Sequence, residues 1–154
     1  MAVKIRSVEK KDKEAITGLV KNFVESLNQP FYESLWLTLL DSYFVGLEIK
    51  ELAFSDIKIF CADQDGTLCG LVVAEIETDL LKRRFGDISL WYVSEKCRGQ
   101  QVGYQLLKAA IDFLKAEKNV DTIETNVREE TKKALKIFNE LGFKPRYTRL
   151  RLDI

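Results

Sequence analysis

The chain has 154 residues, 46% hydrophobic and 31% charged, which is the make-up of an ordinary globular domain. Lys+Arg and Asp+Glu are both 24, so the formal net charge is zero; no overall field favours nucleic acid or a membrane surface, and ligand preference is left to local patches. There is no histidine, which excludes a Ser-His-Asp triad and a Cys-His pair and leaves acid–base work to Asp, Glu, Tyr, Lys, Cys or water.

The opening "MAVKIRSVEKKDKEAI" turns charged at once, so no secretory signal is expected. The longest apolar run, "SLWLTLLDSYFVGL", is broken by Asp41 and Ser42 and is too short for a membrane span. "VKIRSV" alternates and predicts a first strand. Asp12 is placed to cap a helix whose apolar face is Ala15, Ile16, Leu19, Val20, Phe23, Val24 and Leu27, with Asn28 and Pro30 ending it. A second helix is expected from about Glu33 to Leu52, with Leu35, Trp36, Leu39, Leu40, Tyr43, Phe44 and Leu47 on a wide apolar face.

The period then changes. "DIKIFCA" and "TLCGLVVAEI" are β-rich runs joined by Asp65-Gly66, a hairpin signal because the turn needs positive φ. "GDISLWYV" is a third strand. A helix follows, with Val102, Leu106, Leu107, Ala110, Ile111 and Leu114 at helical spacing. "DTIETNV" predicts a strand and "EETKKALKIFNEL" a helix closed by Gly142 as C-cap. The alternating "RYTRLRLDI" predicts a last strand.

Hairpins in the first half and crossovers in the second imply one α/β domain over residues 1–154, with a mixed, mostly antiparallel central sheet flanked by helices. Cys61, Cys69 and Cys97 are odd in number and lack a C-x-x-C pair. Without histidine they argue against a metal site and read as free thiols in a reducing, cytoplasmic compartment.

The stretch "VSEKCRGQQVGYQLL" carries the functional signal. Gly99 and Gly103 flank the start of the best-patterned helix, where the first backbone N–H groups lack intrahelical partners and carry the positive dipole end. Strand, glycine-bearing turn and helix N-terminus make an anion cradle suited to a pyrophosphate, with Arg98 as a planar cation beside it. Glycines before a helix also serve turns alone, and a loop arginine is often just solvated; the stretch by itself admits both readings. It is neither a Walker loop nor a G-x-G-x-x-G fingerprint.

"LWYVSEKCRGQQVGYQLL" resembles motif A of the GNAT N-acetyltransferases: a strand ending in Val, a short loop, then Arg/Gln-x-x-Gly-x-Gly/Ala opening a helix. "ALKIFNELGFKPR" is similar to the later family signature Ala-x-x-x-Tyr-x-x-x-Gly-Phe. The order of elements fits over nearly the whole chain, and the specific motifs lie in its last sixty or so residues. The resemblance implies the GNAT-type fold, acetyl-CoA as co-substrate and acetyl transfer to an amine. Residue by residue it sets Val93, preceded by Trp91 and Tyr92, where a strand end meets the pantetheine arm. Arg98, Gly99, Gln100, Gln101, Val102, Gly103 and Tyr104 stand where the pyrophosphate is gripped. Three positions depart from the pattern: the first motif glycine is Gln101, the tyrosine that often protonates the leaving thiolate is Phe138, and an asparagine common near that helix start is Thr131.

Transfer to an amine needs a base, oxyanion stabilisation and a leaving thiolate. Asp87 is the candidate base. By period two it shares a face with Ser89, Trp91 and Val93, and some GNATs hold a strand glutamate near this position. Glu75, Glu77 and water are alternatives, and so is a solvated role for Asp87. Tyr92 is an acid only if its hydroxyl reaches the cleft. Cys97 reads as a loop residue and Phe138 as core. The acceptor is expected between "LNQPFYESLW" and "PRYTRLRL", where Phe31, Tyr32 and Trp36 either line a wall or fill core. The partners implied are a small-molecule or peptide amine, with no nucleic acid and no membrane; a homodimer is left open. A catalytically inactive acyl-CoA-binding module and an α/β interaction domain are the rival classes.

Overall fold

The computed structural model describes residues 2–27, 31–48, 56–128 and 131–154, with backbone alone at 31–35 and 48. The elements are β1 (Lys4–Ser7), α1 (Lys13–Leu27), α2 (Phe31–Glu48), β2 (Ile57–Gln64), β3 (Thr67–Thr78), β4 (Arg84–Val93), α3 (Val102–Ala116), β5 (Ile123–Thr125) and α4 (Lys132–Glu140). The sheet order is β1-β2-β3-β4-β5. The first four strands pair antiparallel and β5 joins β4 in parallel, so the sheet is mixed and mostly antiparallel with helices about it.

Local chemistry sets the joints. Asp65 (φ 51°) and Gly66 (φ 88°) both take positive φ, giving the hairpin turn that fits strand twist. Asp12, 6% exposed, does not cap α1 as expected. It closes the short 3₁₀ turn Lys10–Asp12, accepts the Glu9 N–H at 2.8 Å and pairs with Arg6 at 2.7 Å. Arg6 also donates to Asp63 at 2.8 Å, so one guanidinium joins β1, the turn and β2. That pairing holds the Asp12 carboxyl below its usual range. At the far end, Gly142 (φ 93°) closes α4 as the sequence predicts, with Gly142 N–H on Asn139 O and Phe143 N–H on Phe138 O, both at 3.0 Å.

Two cores lie on opposite faces. Beneath α1 and α2, Ile16, Val20, Leu40 and Phe44 meet Ile59, Leu71, Val73 and Leu90. Beneath α3 and α4, Leu106, Leu107, Leu114 and Phe138 meet Val72, Ala74, Ile76 and Ile88. One bulge decides which residues face which layer. Val73 pairs with Leu90 and Ala74 with Ile88, leaving Ser89 as an extra residue in β4. Before it, odd positions such as Asp87 face the α1/α2 layer. After it, Trp91 and Val93 face the α3/α4 layer, while Leu90 and Tyr92 take the other. The period-two grouping of Asp87 with Trp91 and Val93 is therefore overturned.

The expected last strand does not form. Residues 143–154 carry no regular structure, and Leu150 and Leu152 are 88% and 85% exposed. Alternation creates a strand only where an edge accepts it, and among the described residues no strand pairs with this segment. Among the described residues no helix is long and apolar enough to cross a membrane.

Candidate active site

β4 and β5 diverge after three residues. Gly86, Asp87 and Ile88 pair with Ile123, Glu124 and Thr125, and the Thr125 hydroxyl donates to the Ile88 carbonyl at 2.9 Å. Among the described residues, the outer edge of β4 from Ser89 to Val93 has no strand partner. Ser94 N–H donates inward to Cys69 O at 2.8 Å. The Val93 carbonyl, at the other end of that peptide, therefore faces the opening. There it accepts Arg98 Nε at 3.0 Å, so Arg98 ties the loop to the strand end.

The loop continues through the 3₁₀ turn Glu95–Cys97 to Gly99 (φ 83°) and Gln101 (φ 58°), then enters α3 at Val102. Gln101 takes the left-handed conformation that glycine adopts freely, at a cost of about 1 kcal/mol. The position where the motif expects glycine thus keeps a glycine-like backbone. Gln101 offers no side-chain cap, no acid sits in the first turn, and the first helical bond runs from Gln105 N–H to Gln101 O at 3.0 Å. The amides of Val102, Gly103 and Tyr104 thus form a bare positive helix end beside the opening.

The missing Cβ of Gly103 leaves room for an indole. A Cβ there would stand 2.8 Å from Trp91 Cζ2, and Trp91 Nε1 donates to Gly103 O at 3.1 Å. The indole is also held edge-on by Phe138, centroids 5.5 Å apart, so it has little room to yield. Gly103→Ala is expected to destabilise by about 1–3 kcal/mol, read as a lower urea midpoint at unchanged slope. At Gly86 a Cβ would stand 2.9, 3.0 and 3.2 Å from Cδ1, Cδ2 and Cγ of the fully buried Leu114, so Gly86→Ala is expected to destabilise as well.

On the α1/α2 face an acid row crosses three strands. Glu75 pairs with Asp87 and Asp87 with Glu124. Carboxylate oxygens of Glu75, Glu77 and Asp87 lie within 4.8 Å of one another. Burial above all, then Glu77, Glu75 and Glu124, pushes Asp87 up to about 7. Burial also raises Glu75; the Ser89 hydroxyl beside it pulls the other way, although Ser89 Oγ is buried and makes no bond of good geometry. A carboxyl titrating near neutrality is suited to proton transfer. Glu124 was not singled out in the sequence, since only strand pairing brings it to Asp87.

The other expected residues fall as follows. Phe138 is core at 4% exposure. Tyr92 is half-buried and tilts against Phe23, centroids 6.0 Å apart. Cys97 is buried with its thiol on Gln64 Oε1 at 3.4 Å, and burial with the neighbouring Cys97 pushes Cys69 up to about 12. All three cysteines are free and buried. Trp36 packs against the α1/α2 core; the side chains of Phe31 and Tyr32, and residues Asn28 to Pro30, lie outside the described set.

The sequence model of the acetyltransferase (GNAT) family matches residues 21–143, and the chain belongs to that family. It is thus an acyl-transferring enzyme of the N-acetyltransferase class. Among similar solved structures is ribosomal-protein-alanine N-acetyltransferase from Brucella melitensis biovar Abortus 2308, with 18% identity, a TM-score of 0.70 and 100% of both chains covered. Glucosamine-6-phosphate N-acetyltransferase from Arabidopsis thaliana shows 18% identity and a TM-score of 0.73 over 99% of both chains. Aminoglycoside N-acetyltransferase AAC(6')-Iy in complex with CoA shows 20% identity and a TM-score of 0.70 over 99% of this chain and 95% of that one. At these identities the likeness establishes the fold. No curated protein matches the sequence.

Proposed function

We propose that the chain is a single-domain, cytoplasmic N-acetyltransferase that moves the acetyl group of acetyl-CoA directly to a primary amine of a small molecule, peptide or protein. The observation that carries this reading is the opening beside Ser89–Val93, with the bare amides of α3 at one end and Asp87 at the other. Asp87 and Val93 are six residues apart, about 20 Å of strand, so an extended ligand is needed to join an anion grip to a base. The opening suits such a ligand: Gly99 has no heavy atom within 4 Å of its missing Cβ, and Arg98 keeps guanidinium donors beyond the one on Val93. Acetyl-CoA supplies the activated acyl group as a thioester.

In this reading Glu75, Glu77 and Glu124 draw the acceptor in as its ammonium form, and Asp87 takes the proton once ionised. A free N–H of the unpaired β4 segment polarises the carbonyl. Leaving needs no dedicated acid, because a thiol of pKa about 8.5 departs as the thiolate. Phe138 has no proton to give, which is the one observation favouring a binding-only role. The similar enzymes are named for aminoglycoside, glucosamine-6-phosphate and ribosomal-protein-alanine acetylation, all amine acceptors.

Acetyl-CoA at about a hundredfold over its Kd should stabilise the protein by about 2.7 kcal/mol, seen as a thermal shift. No shift at millimolar ligand overturns the reading. Where a shift occurs, release of free thiol across a panel of amines supports transfer, and binding without release assigns the binding-only role.

A further inference from the structure

Two ties span the loop between β4 and α3. Arg98 Nε donates to the Val93 carbonyl at 3.0 Å. Trp91 Nε1 donates to the Gly103 carbonyl at 3.1 Å. Trp91 therefore has its main chain in the stretch of β4 that lacks an outer partner among the described residues, and its side chain on the first turn of α3.

A partly buried indole must place its N–H on some acceptor, and any carbonyl in reach would meet that need. The acceptor here is a particular one. The helical ladder already assigns the Gly103 carbonyl to the amide of Leu107, so the indole is a second donor on the same oxygen. The other end of that peptide is the Tyr104 N–H, one of the three amides that α3 leaves bare. A donor on a peptide's oxygen draws electron density from its nitrogen and strengthens its N–H, and chains of hydrogen bonds reinforce one another in this way. The indole thus acts on the bare end of α3 from behind.

The ring is also held in place. A Cβ on Gly103 would stand 2.8 Å from its Cζ2 and 3.5 Å from its Nε1, so glycine at 103 is what admits it. Phe138 lies edge-on to it at 78°, centroids 5.5 Å apart, and Phe143 backs Phe138 at 5.1 Å. Phe138, which has no proton to give, has a task here as a support for the indole.

We propose that Trp91 is a positioning residue for the diphosphate of CoA: through the Gly103 carbonyl it sets and polarises the Tyr104 amide, and with it the grip at the start of α3. This rests on the opening beside Ser89–Val93 being the acetyl-CoA site. Trp91 acts through one peptide and not by contact with the phosphates.

Trp91→Phe keeps a ring in the core and removes the donor. Replacement of Trp91 by 3-benzothienylalanine keeps both rings and lacks only the N–H, so it decides the matter if the phenylalanine variant folds poorly. Both should bind CoA about three- to tenfold more weakly by calorimetry, the effect of one net hydrogen bond. Affinity for pantetheine, which carries no diphosphate, should be unmoved in an NMR titration at millimolar ligand. In the unaltered protein the indole N–H resonance that Trp91→Phe removes should move downfield on saturation with CoA, because an anion on the Tyr104 amide returns electron density to the Gly103 oxygen. Unchanged CoA affinity in the isosteric variant overturns the proposal. So does an equal loss for CoA and pantetheine, which marks a packing role alone, or an indole resonance that stays put. An unaltered protein that does not bind CoA overturns the acetyl-CoA reading itself and this proposal with it.

Discussion

Asp87→Asn is expected to lower turnover by about 10²–10⁴-fold, the usual contribution of a positioned base. The native enzyme should gain activity as pH rises through about 7, because Asp87 must be ionised to accept a proton and burial with Glu77, Glu75 and Glu124 delays that ionisation. Glu77→Gln removes the largest of the charge contributions and should move the rising limb to lower pH. Stability runs the opposite way. The unfolded carboxyl ionises near 3.8, while the folded one holds its proton to about 7. Folding therefore binds a proton between those values, stability declines as pH climbs through that window, and the full penalty stands above 7. Asp87→Asn removes this penalty. Allowing for solvent screening, it should be more stable at pH 8 by about 1–2 kcal/mol, or roughly 3–7 °C in Tm, and show no gain below about pH 4. Turnover that survives the substitution with its pH profile unmoved would remove Asp87 as base.

Phe138→Ala should be among the most damaging substitutions for the fold. Phe138 is the one buried residue of α4, sits edge-on to Trp91 and Phe143 at 5.5 and 5.1 Å, and closes the C-cap through its carbonyl. Truncating it opens a cavity between α4 and the sheet, at about 3–5 kcal/mol. That is a large part of the about 5–15 kcal/mol that holds a domain folded. Phe138→Tyr should also lose stability, since its hydroxyl enters a site lined by rings with no partner at hand. Urea unfolding of both variants checks this. A Phe138→Tyr protein that is fully stable and faster in thiol release would place that position in the chemistry instead of the core.

The order of elements was legible because each carries its own period: the i, i+4 face of Ile16, Val20 and Val24, the Asp65-Gly66 turn, the Gly142 cap. These are local signals, and local physics decides them. What could not be read depends on pairing. The bulge at Ser89 arises from the register between β3 and β4, which the sequence of β4 does not contain. It moved Trp91 and Val93 to the face opposite Asp87. The meeting of Glu75, Asp87 and Glu124 is likewise a matter of register. That Trp91 packs where a Cβ of Gly103 would stand is likewise a tertiary contact that the loop's own sequence does not contain. "RYTRLRLDI" has the right alternation for a strand, yet alternation names no edge to pair with.

One more result follows from the extra residue in β4. With unbroken parity, a substitution at any odd position of the strand would press on a single compartment from end to end. The added residue divides β4 into two phases: changes at 85 and 87 are felt under α1 and α2, those at 91 and 93 under α3. On the proposed reading, preference for an acceptor and hold on a carrier can thus drift separately over generations, although both are written within ten consecutive residues.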